Sequence, residues 1–183
     1  DAIRGASRHM FQQYGCSEAG CLAIAADPRT PDDMGAPLPH VRLTAGSAAP
    51  GPVVVQDAGA EIQTGDLGVI DPRGHLIFAG RAAEVIDVAG LNVYPAQIEA
   101  AAMALPGIHD AVAFAIPDPA ATQRPALAYV GDLSEAALDA HLAGVLSPRQ
   151  RPARLIRLAA LPRGANGKIA RRDLADTLLE VAP

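Results

Sequence analysis

The pattern of this 183-residue chain changes character at Arg81, and that change limits the folds open to it more than any other feature. Before it, short apolar runs are broken by proline, glycine, aspartate and serine; after it, strand-like and helix-like runs alternate. In the first part "RHMFQQYG" (8–15) predicts a strand ending at Gly15, and "HVRLT" (40–44) is the one strand-like run between Pro28 and Pro52. "GPVVVQD" and "AEIQTGD" predict two short strands, and "LGVIDPRGHLIFAGR" (67–81) a hairpin, apolar on both sides of the turn "DPRG". In the second part "EVIDVAGLNVY" (84–94) reads as a hairpin around Gly90. Pro95 then opens the helix "PAQIEAAAMAL", as a first-turn proline can. A strand "HDAVAFAIPD", a strand "PALAYVGD", a helix "SEAALDAHLAGVL" with Ser134 as N-cap, a strand "ARLIRLAAL" and a helix "ARRDLADTLLEV" complete the chain. The expected fold class is α+β, with a β-rich segment over 1–81 and a small α+β domain over 82–183.

Composition narrows the function classes. Half the residues are hydrophobic, yet the aromatics are three Tyr, three Phe and no Trp, so Ala, Leu, Val and Ile must fill the core. A formal net charge of −5 opposes nucleic-acid binding, which needs a basic face. No run of eighteen apolar residues exists and the first residues lack a secretion-signal pattern, so a soluble, cytoplasmic chain without a membrane span is expected. Cys16 and Cys21, five apart, fit neither a CxxC pair nor a zinc knuckle and are expected to be free thiols. The five histidines show no metal-ligand spacing.

Four stretches carry the chemistry: "YGCSE" (14–18), "TGDLG" (64–68), "GRAAEVIDVAGLNVYPAQIE" (80–99) and "PRGANGKIARRDL" (162–174). Singly, each has an ordinary reading: a polar turn at a strand end, a turn-capping aspartate with a surface arginine, a helix start, a lysine on a solvated loop. In this order and in these contexts they resemble the distal motifs of the acyl-adenylate-forming, AMP-binding enzymes, a group that includes acyl-CoA synthetases, adenylation domains of nonribosomal synthesis, and luciferases. The resemblance runs from Tyr14 to Leu174. It implies the β-rich distal part of a large adenylate-forming domain, followed by a small mobile lid.

The resemblance also assigns residues. Tyr14 would pack on adenine, Ser17 would contact the α-phosphate and Glu18 would help hold Mg2+. Asp66 would accept hydrogen bonds from the ribose hydroxyls, which suits a carboxylate with two oxygens, and Arg81 would be a second ribose contact. Ala83 stands at the hinge, where the family commonly has Asp or Lys, and Asp87 stands where Lys is common. Gly90 would let a thiol arm pass close to the backbone, which a side chain would obstruct. Lys168 would bridge the substrate carboxylate and the phosphate, a compact cation that a mobile loop inserts and withdraws.

The implied chemistry is attack of a small carboxylic acid on ATP to give an acyl-AMP and pyrophosphate. Transfer then proceeds to coenzyme A, or to the phosphopantetheine of an acyl carrier protein. The family's Ser/Thr- and Gly-rich phosphate loop is not in this sequence, and the segment between Glu18 and Thr64 is short for the family, although "MGAPLPHVRL" resembles its MGxPxPG stretch. The first residue is Asp1 rather than Met. The expectation is a C-terminal part that needs the upstream part of the same enzyme and is inactive alone. The competing reading is a noncatalytic interaction module derived from the small domain.

Overall fold

The computed structural model describes residues 9–57, 60–164, 169 and 171–180. The chain divides into two compact units, Asp1–Ala83 and Glu84–Pro183.

The first unit holds two antiparallel sheets. Strands β1 (Phe11–Cys16), β2 (Gly20–Ala26) and β3 (Ala36–Pro37) form one, in that order; β4 (Arg42–Thr44), β5 (Gly51–Asp57), β6 (Ala60–Ile70) and β7 (Leu76–Arg81) form a meander. Their shared core is Tyr14, Leu22, Ala23, Val53, Val55 and Leu76. Two differences from the sequence expectation have physical causes. The run "GCLAIAA" has a single β-branched residue and so carries no strand signal of its own, yet it is β2 because β1 pairs with it along its length. "AEIQTGD" and "LGVI" are one continuous eleven-residue strand, since Gly65 adopts φ +74° and carries the chain through the TGD stretch without ending it.

The β6–β7 hairpin is built on a tied turn and a bulge. Asp71 ties the turn: its Oδ1 accepts from the backbone N–H of Arg73 (2.8 Å) and His75 (2.9 Å). Pairing runs Ile70 with Leu76, Val69 with Ile77 and Gly68 with Phe78, then shifts, so that Leu67 faces Gly80 and Asp66 faces Arg81. Ala79 is the extra residue of this β-bulge. Were the ladder to continue without the shift, Asp66 would face Gly80; bulges re-aim side chains in this way.

Among the described residues the second unit is a five-stranded sheet with three helices. In chain order these are β8 (Ile86–Val88), β9 (Leu91–Val93), α1 (Pro95–Met103), β10 (Ile108–Asp118), β11 (Thr122–Gly131), α2 (Glu135–Val145), β12 (Arg154–Arg157) and α3 (Arg171–Glu180). The order across the sheet is β10-β11-β8-β9, with β12 parallel to β11, so β10 is an edge strand. Both faces are covered. Ala113, Leu127 and Tyr129 pack with Ile98, Ala102, Leu138 and Leu142, whereas Val112, Phe114, Ala126 and Ala128 pack with Leu161, Leu174 and Ala175. Double coverage explains why "AVAFAI" and "PALAYV" are apolar almost without alternation. Ser134 caps α2 as expected, its Oγ accepting from the Ala137 N–H at 3.3 Å. The strand expected over 153–161 is only four residues long, because its pairing with β11 ends at Arg157 opposite Tyr129 and the chain then carries Leu161 into the second core.

The β8–β9 turn is strained at one point. Ala89 (φ +52°) and Gly90 (φ +81°) lie between the paired residues Val88 and Leu91, the arrangement of a type I′ turn. An alanine in this left-handed region costs about 1 kcal/mol, which asparagine largely avoids. Ala89→Asn is therefore expected to stabilise the second unit by about 0.5–1 kcal/mol. The measurement is urea unfolding, with a raised midpoint and an unchanged slope.

Candidate functional site

In the first unit the register places a buried carboxylate beside a cation. Asp66 is 4% exposed. Its Oδ2 accepts a hydrogen bond from the Tyr14 hydroxyl at 2.7 Å, across fifty-two residues of sequence. Its Oδ1 lies 2.9 Å from Arg81 Nε, but that contact lacks hydrogen-bond alignment, and Oδ1 is buried with no in-line donor among the described residues. Thr64 braces the group: its hydroxyl donates to Val53 O (2.9 Å) and accepts from the Asp66 N–H (3.2 Å), while Arg81 Nη1 donates to Thr64 O (3.4 Å). Burial pushes the Tyr14 phenol far above its ordinary range; Thr64 opposes this, and the hydrogen bond and charge of Asp66 add to it. Tyr14 is therefore a fixed donor at any physiological pH.

Tyr14, Asp66 and Arg81, far apart in sequence, thus form one cluster. Tyr14 is itself only 6% exposed, and its ring lies tilted against Phe78, with centroids 6.4 Å apart. Its contact with the cluster is through the hydroxyl, and its face offers little area for stacking. Ser17 and Glu18 stand exposed in the turn between β1 and β2, with no hydrogen bond to the cluster among the described residues. Among the described residues no three acidic, histidine or cysteine side chains converge on a possible metal position. Glu18 is thus a single exposed carboxylate, which fits magnesium held mainly by phosphate oxygens and water. Cys16 and Cys21 are free and half-buried.

One cluster in this unit escaped the sequence reading. Asp33, 2% exposed, accepts from the Gly35 N–H (3.0 Å) and faces His75 Nδ1 (3.0 Å) and Arg73 Nη2 (3.3 Å). Burial alone would raise its carboxyl. The hydrogen bond from His75, the Gly35 amide and the charges of His75 and Arg73 outweigh that and hold it below its ordinary value. It fastens the loop before β3 to the β6–β7 turn. The sequence signal was only "DD" within a proline- and glycine-rich stretch.

In the second unit Gly90 is exposed, and its N–H donates to Asp87 Oδ1 at 2.6 Å. A Cβ built on Gly90 would meet nothing within 4 Å, so the backbone there is open to approach. Asp87 has a turn-forming part that its sequence position did not reveal. Ala83 lies in a single helical turn, Ala82–Glu84. Lys168 lies outside the described residues.

A second missed group centres on Arg171, the first residue of α3. Its Nη1 donates to Glu84 Oε2 (2.6 Å), its Nη2 to Glu99 Oε1 and Oε2 (2.8 and 3.0 Å), and its Nε to Ala113 O (3.1 Å). Glu99 Oε1 also accepts from the Ala113 N–H at 2.9 Å. Burial would push the guanidinium down, but the charge and hydrogen bonds of Glu99, and then of Glu84, outweigh it and raise it above its ordinary value. The sequence showed only a charged "RRD".

Comparison with known proteins gives a consistent set of relatives. Residues 97–168 match the family model described as the AMP-binding enzyme C-terminal domain. A 3,4-dihydroxybenzoate–[aryl-carrier protein] ligase of Bacillus anthracis is 32% identical over 94% of this chain and 42% of its own length. A 2-succinylbenzoate–CoA ligase of Lactococcus lactis is 28% identical over 90% of this chain and 41% of its own. The chain spans about two fifths of the length of these relatives. Among solved structures, ATP-bound MatB from Rhodopseudomonas palustris superposes with a TM-score of 0.84 at 23% identity, covering 94% of this chain and 41% of that one. The o-succinylbenzoate CoA synthetase of Bacillus subtilis, in complex with its acyl-adenylate, gives 0.82 at 22% identity over 94% and 42%. At these identities the structures bear on the fold, which is the mixed, strand-rich α+β arrangement described for the two units. Among the described residues no helix is long and apolar enough to cross a membrane.

Proposed function

We propose that this chain, whose residues 97–168 match the C-terminal domain of the AMP-binding enzymes, is the distal part of an ATP-dependent ligase joining a small carboxylic acid to a thiol. The observation that carries this reading is Asp66: a buried carboxylate, braced by Tyr14 and Thr64, with one oxygen lacking an in-line donor. Arg81 Nε, 2.9 Å away, offsets the charge of that oxygen without an aligned hydrogen bond, and a ribose hydroxyl would supply the aligned donor. A pure interaction module has no physical need for it.

The chemistry sets a charge problem. A carboxylate must approach the α-phosphate of ATP, so anion meets polyanion, and positive charge must stand where negative charge gathers. In this reading Asp66 and Arg81 fix the ribose, Tyr14 holds the Asp66 carboxylate in place, and the Ser17 hydroxyl donates to the α-phosphate. Magnesium, held by Glu18 together with the phosphates, would neutralise charge on the leaving pyrophosphate. Lys168 supplies the cation between carboxylate and phosphate. Ala83 lets the small domain turn, and the open backbone at Gly90 receives the thiol arm. Coenzyme A and carrier-bound phosphopantetheine end in the same arm; relatives of both kinds are found, and direct binding of each to the full-length enzyme distinguishes them.

The test of the reaction is carboxylate-dependent exchange of labelled pyrophosphate into ATP, by this chain alone and by the full-length enzyme containing an upstream phosphate loop. Exchange by the longer protein only is expected, and the acid that supports it names the substrate. Failure of the longer protein to exchange with any acid, or to bind ATP, favours the noncatalytic module.

A further inference from the structure

The Asp33 cluster has no part in the proposed adenylation chemistry, yet it stands where the two sheets of the first unit meet. The Tyr14–Asp66 hydrogen bond crosses from the first sheet to the meander, so it forms only while the two sheets keep one spacing. Residues 31–35 are tied to both. Toward the first sheet, Gln12, two residues before Tyr14 on β1, donates from Nε2 to Pro31 O (2.6 Å) and Met34 Sδ (3.2 Å). Toward the meander, the Phe78 N–H donates to Asp32 O (2.9 Å), the Leu76 N–H to Gly35 O (2.8 Å) and the Met34 N–H to Leu76 O (2.8 Å). Phe78 is also the residue whose ring lies against Tyr14. At the centre of the segment the buried Asp33 carboxylate meets the Gly35 N–H and His75 with Oδ1 and Arg73 with Oδ2, the last two both in the β6–β7 turn. A carboxylate this deeply buried cannot let go of its partners without a large cost, which makes the join rigid.

We propose that Asp33 is a positioning residue for the nucleotide site: by clasping residues 31–35 to the β6–β7 hairpin it sets the spacing of the two sheets, and so holds the Tyr14 hydroxyl against Asp66. This rests on the adenylation reading, from which the ribose role of Asp66 comes. The Tyr14–Asp66 bond, 2.7 Å long, is lost if the sheets part by about an ångström. Asp66 then keeps its charge and its burial but not its orientation, and the ribose hydroxyls meet a carboxylate that has to be ordered on binding. The effect therefore falls on ATP affinity and not on the chemical step.

The test uses Asp33→Ala, Tyr14→Phe and the double variant in the full-length enzyme. Asp33→Ala should raise the KM for ATP in pyrophosphate exchange about tenfold and leave kcat within about twofold. Loss of folded enzyme alone does the reverse, lowering kcat at constant KM, and that pattern would overturn the proposal. In the Tyr14→Phe background, where the hydroxyl is already gone, adding Asp33→Ala should raise KM by less than about twofold; a full further tenfold would show that Asp33 does not act through Tyr14. If Asp33→Ala yields no folded protein, His75→Phe removes one donor at a half-buried position and carries the same test, with an expected rise of about threefold. An activity-free readout separates the clasp from the adenylation reading. In Asp33→Ala or His75→Phe the amides of Met34, Leu76 and Phe78 should exchange faster with solvent, while those of the β5–β6 pair keep their protection. Unchanged exchange at those three amides refutes the clasp, even if the wild-type enzyme shows no pyrophosphate exchange.

Discussion

Lys168→Ala in the full-length enzyme is expected to lower acyl-adenylate formation by on the order of a thousandfold, the scale seen when one preorganised donor is removed from a developing anion. The reason is electrostatic. In the proposed first half-reaction a carboxylate and a triphosphate come together, and the Lys168 ammonium would offset repulsion that grows as the new bond forms. In the second half-reaction the attacking group is a thiol and the leaving group is AMP, so the same cation has no comparable work. Thioester formation from supplied acyl-adenylate should therefore fall by less than about tenfold. Comparing the two half-reactions in one variant is the measurement. A parallel loss in both would show that Lys168 acts through folding or domain docking instead.

Asp66→Ala should have a comparably large effect and act on binding. Two hydrogen bonds from ribose hydroxyls to an ionised acceptor are each worth about 1.5–3 kcal/mol, so the Kd for ATP should rise by roughly a hundredfold to ten-thousandfold. The same change strands the buried Tyr14 hydroxyl, at a cost of about 1–3 kcal/mol in stability. Its partner Arg81 is half exposed, so the lost ion pair itself adds little. Asp66→Asn separates the two consequences. It keeps an oxygen for Tyr14 and should stay within about 1 kcal/mol of the wild-type stability, yet still bind ATP weakly because the charged acceptor is gone. Isothermal titration and urea unfolding on both variants supply the four numbers. Normal ATP affinity in Asp66→Asn would remove the ribose assignment.

Motif reading reached Tyr14, Asp66 and Arg81, because each is a distinctive residue type inside a short pattern. What joins them was not legible: the pairing of Asp66 with Arg81 and the Tyr14 hydrogen bond depend on sheet register, which no local pattern encodes. The second unit's strands and helices were visible because proline, serine and long apolar runs mark their limits. β2 was not, since a strand of mostly small residues draws its identity from its partner. Asp33 and Arg171 were missed for one shared reason. A charged residue in a polar stretch looks solvated until the fold brings its counter-charges from forty or more residues away.

The bulge at Ala79 gives β7 one residue of slack. Side chains alternate along a strand, so whether Arg81 stands on the same face as Asp66 depends on how many residues separate it from the paired tip of the hairpin. Deleting Ala79 would straighten the ladder and still leave Gly68 with Phe78, Leu67 with Gly80 and Asp66 with Arg81; some local twist would go, but not the pair. Deleting Ala79 and Gly80 together would bring Arg81 opposite Leu67, on the other face of the hairpin, and set Ala82 against the buried carboxylate. Tyr14, Asp66 and Arg81 would all remain in that sequence, and their cluster would be gone. The base of this hairpin should therefore tolerate the loss of one residue and fail at the loss of a second.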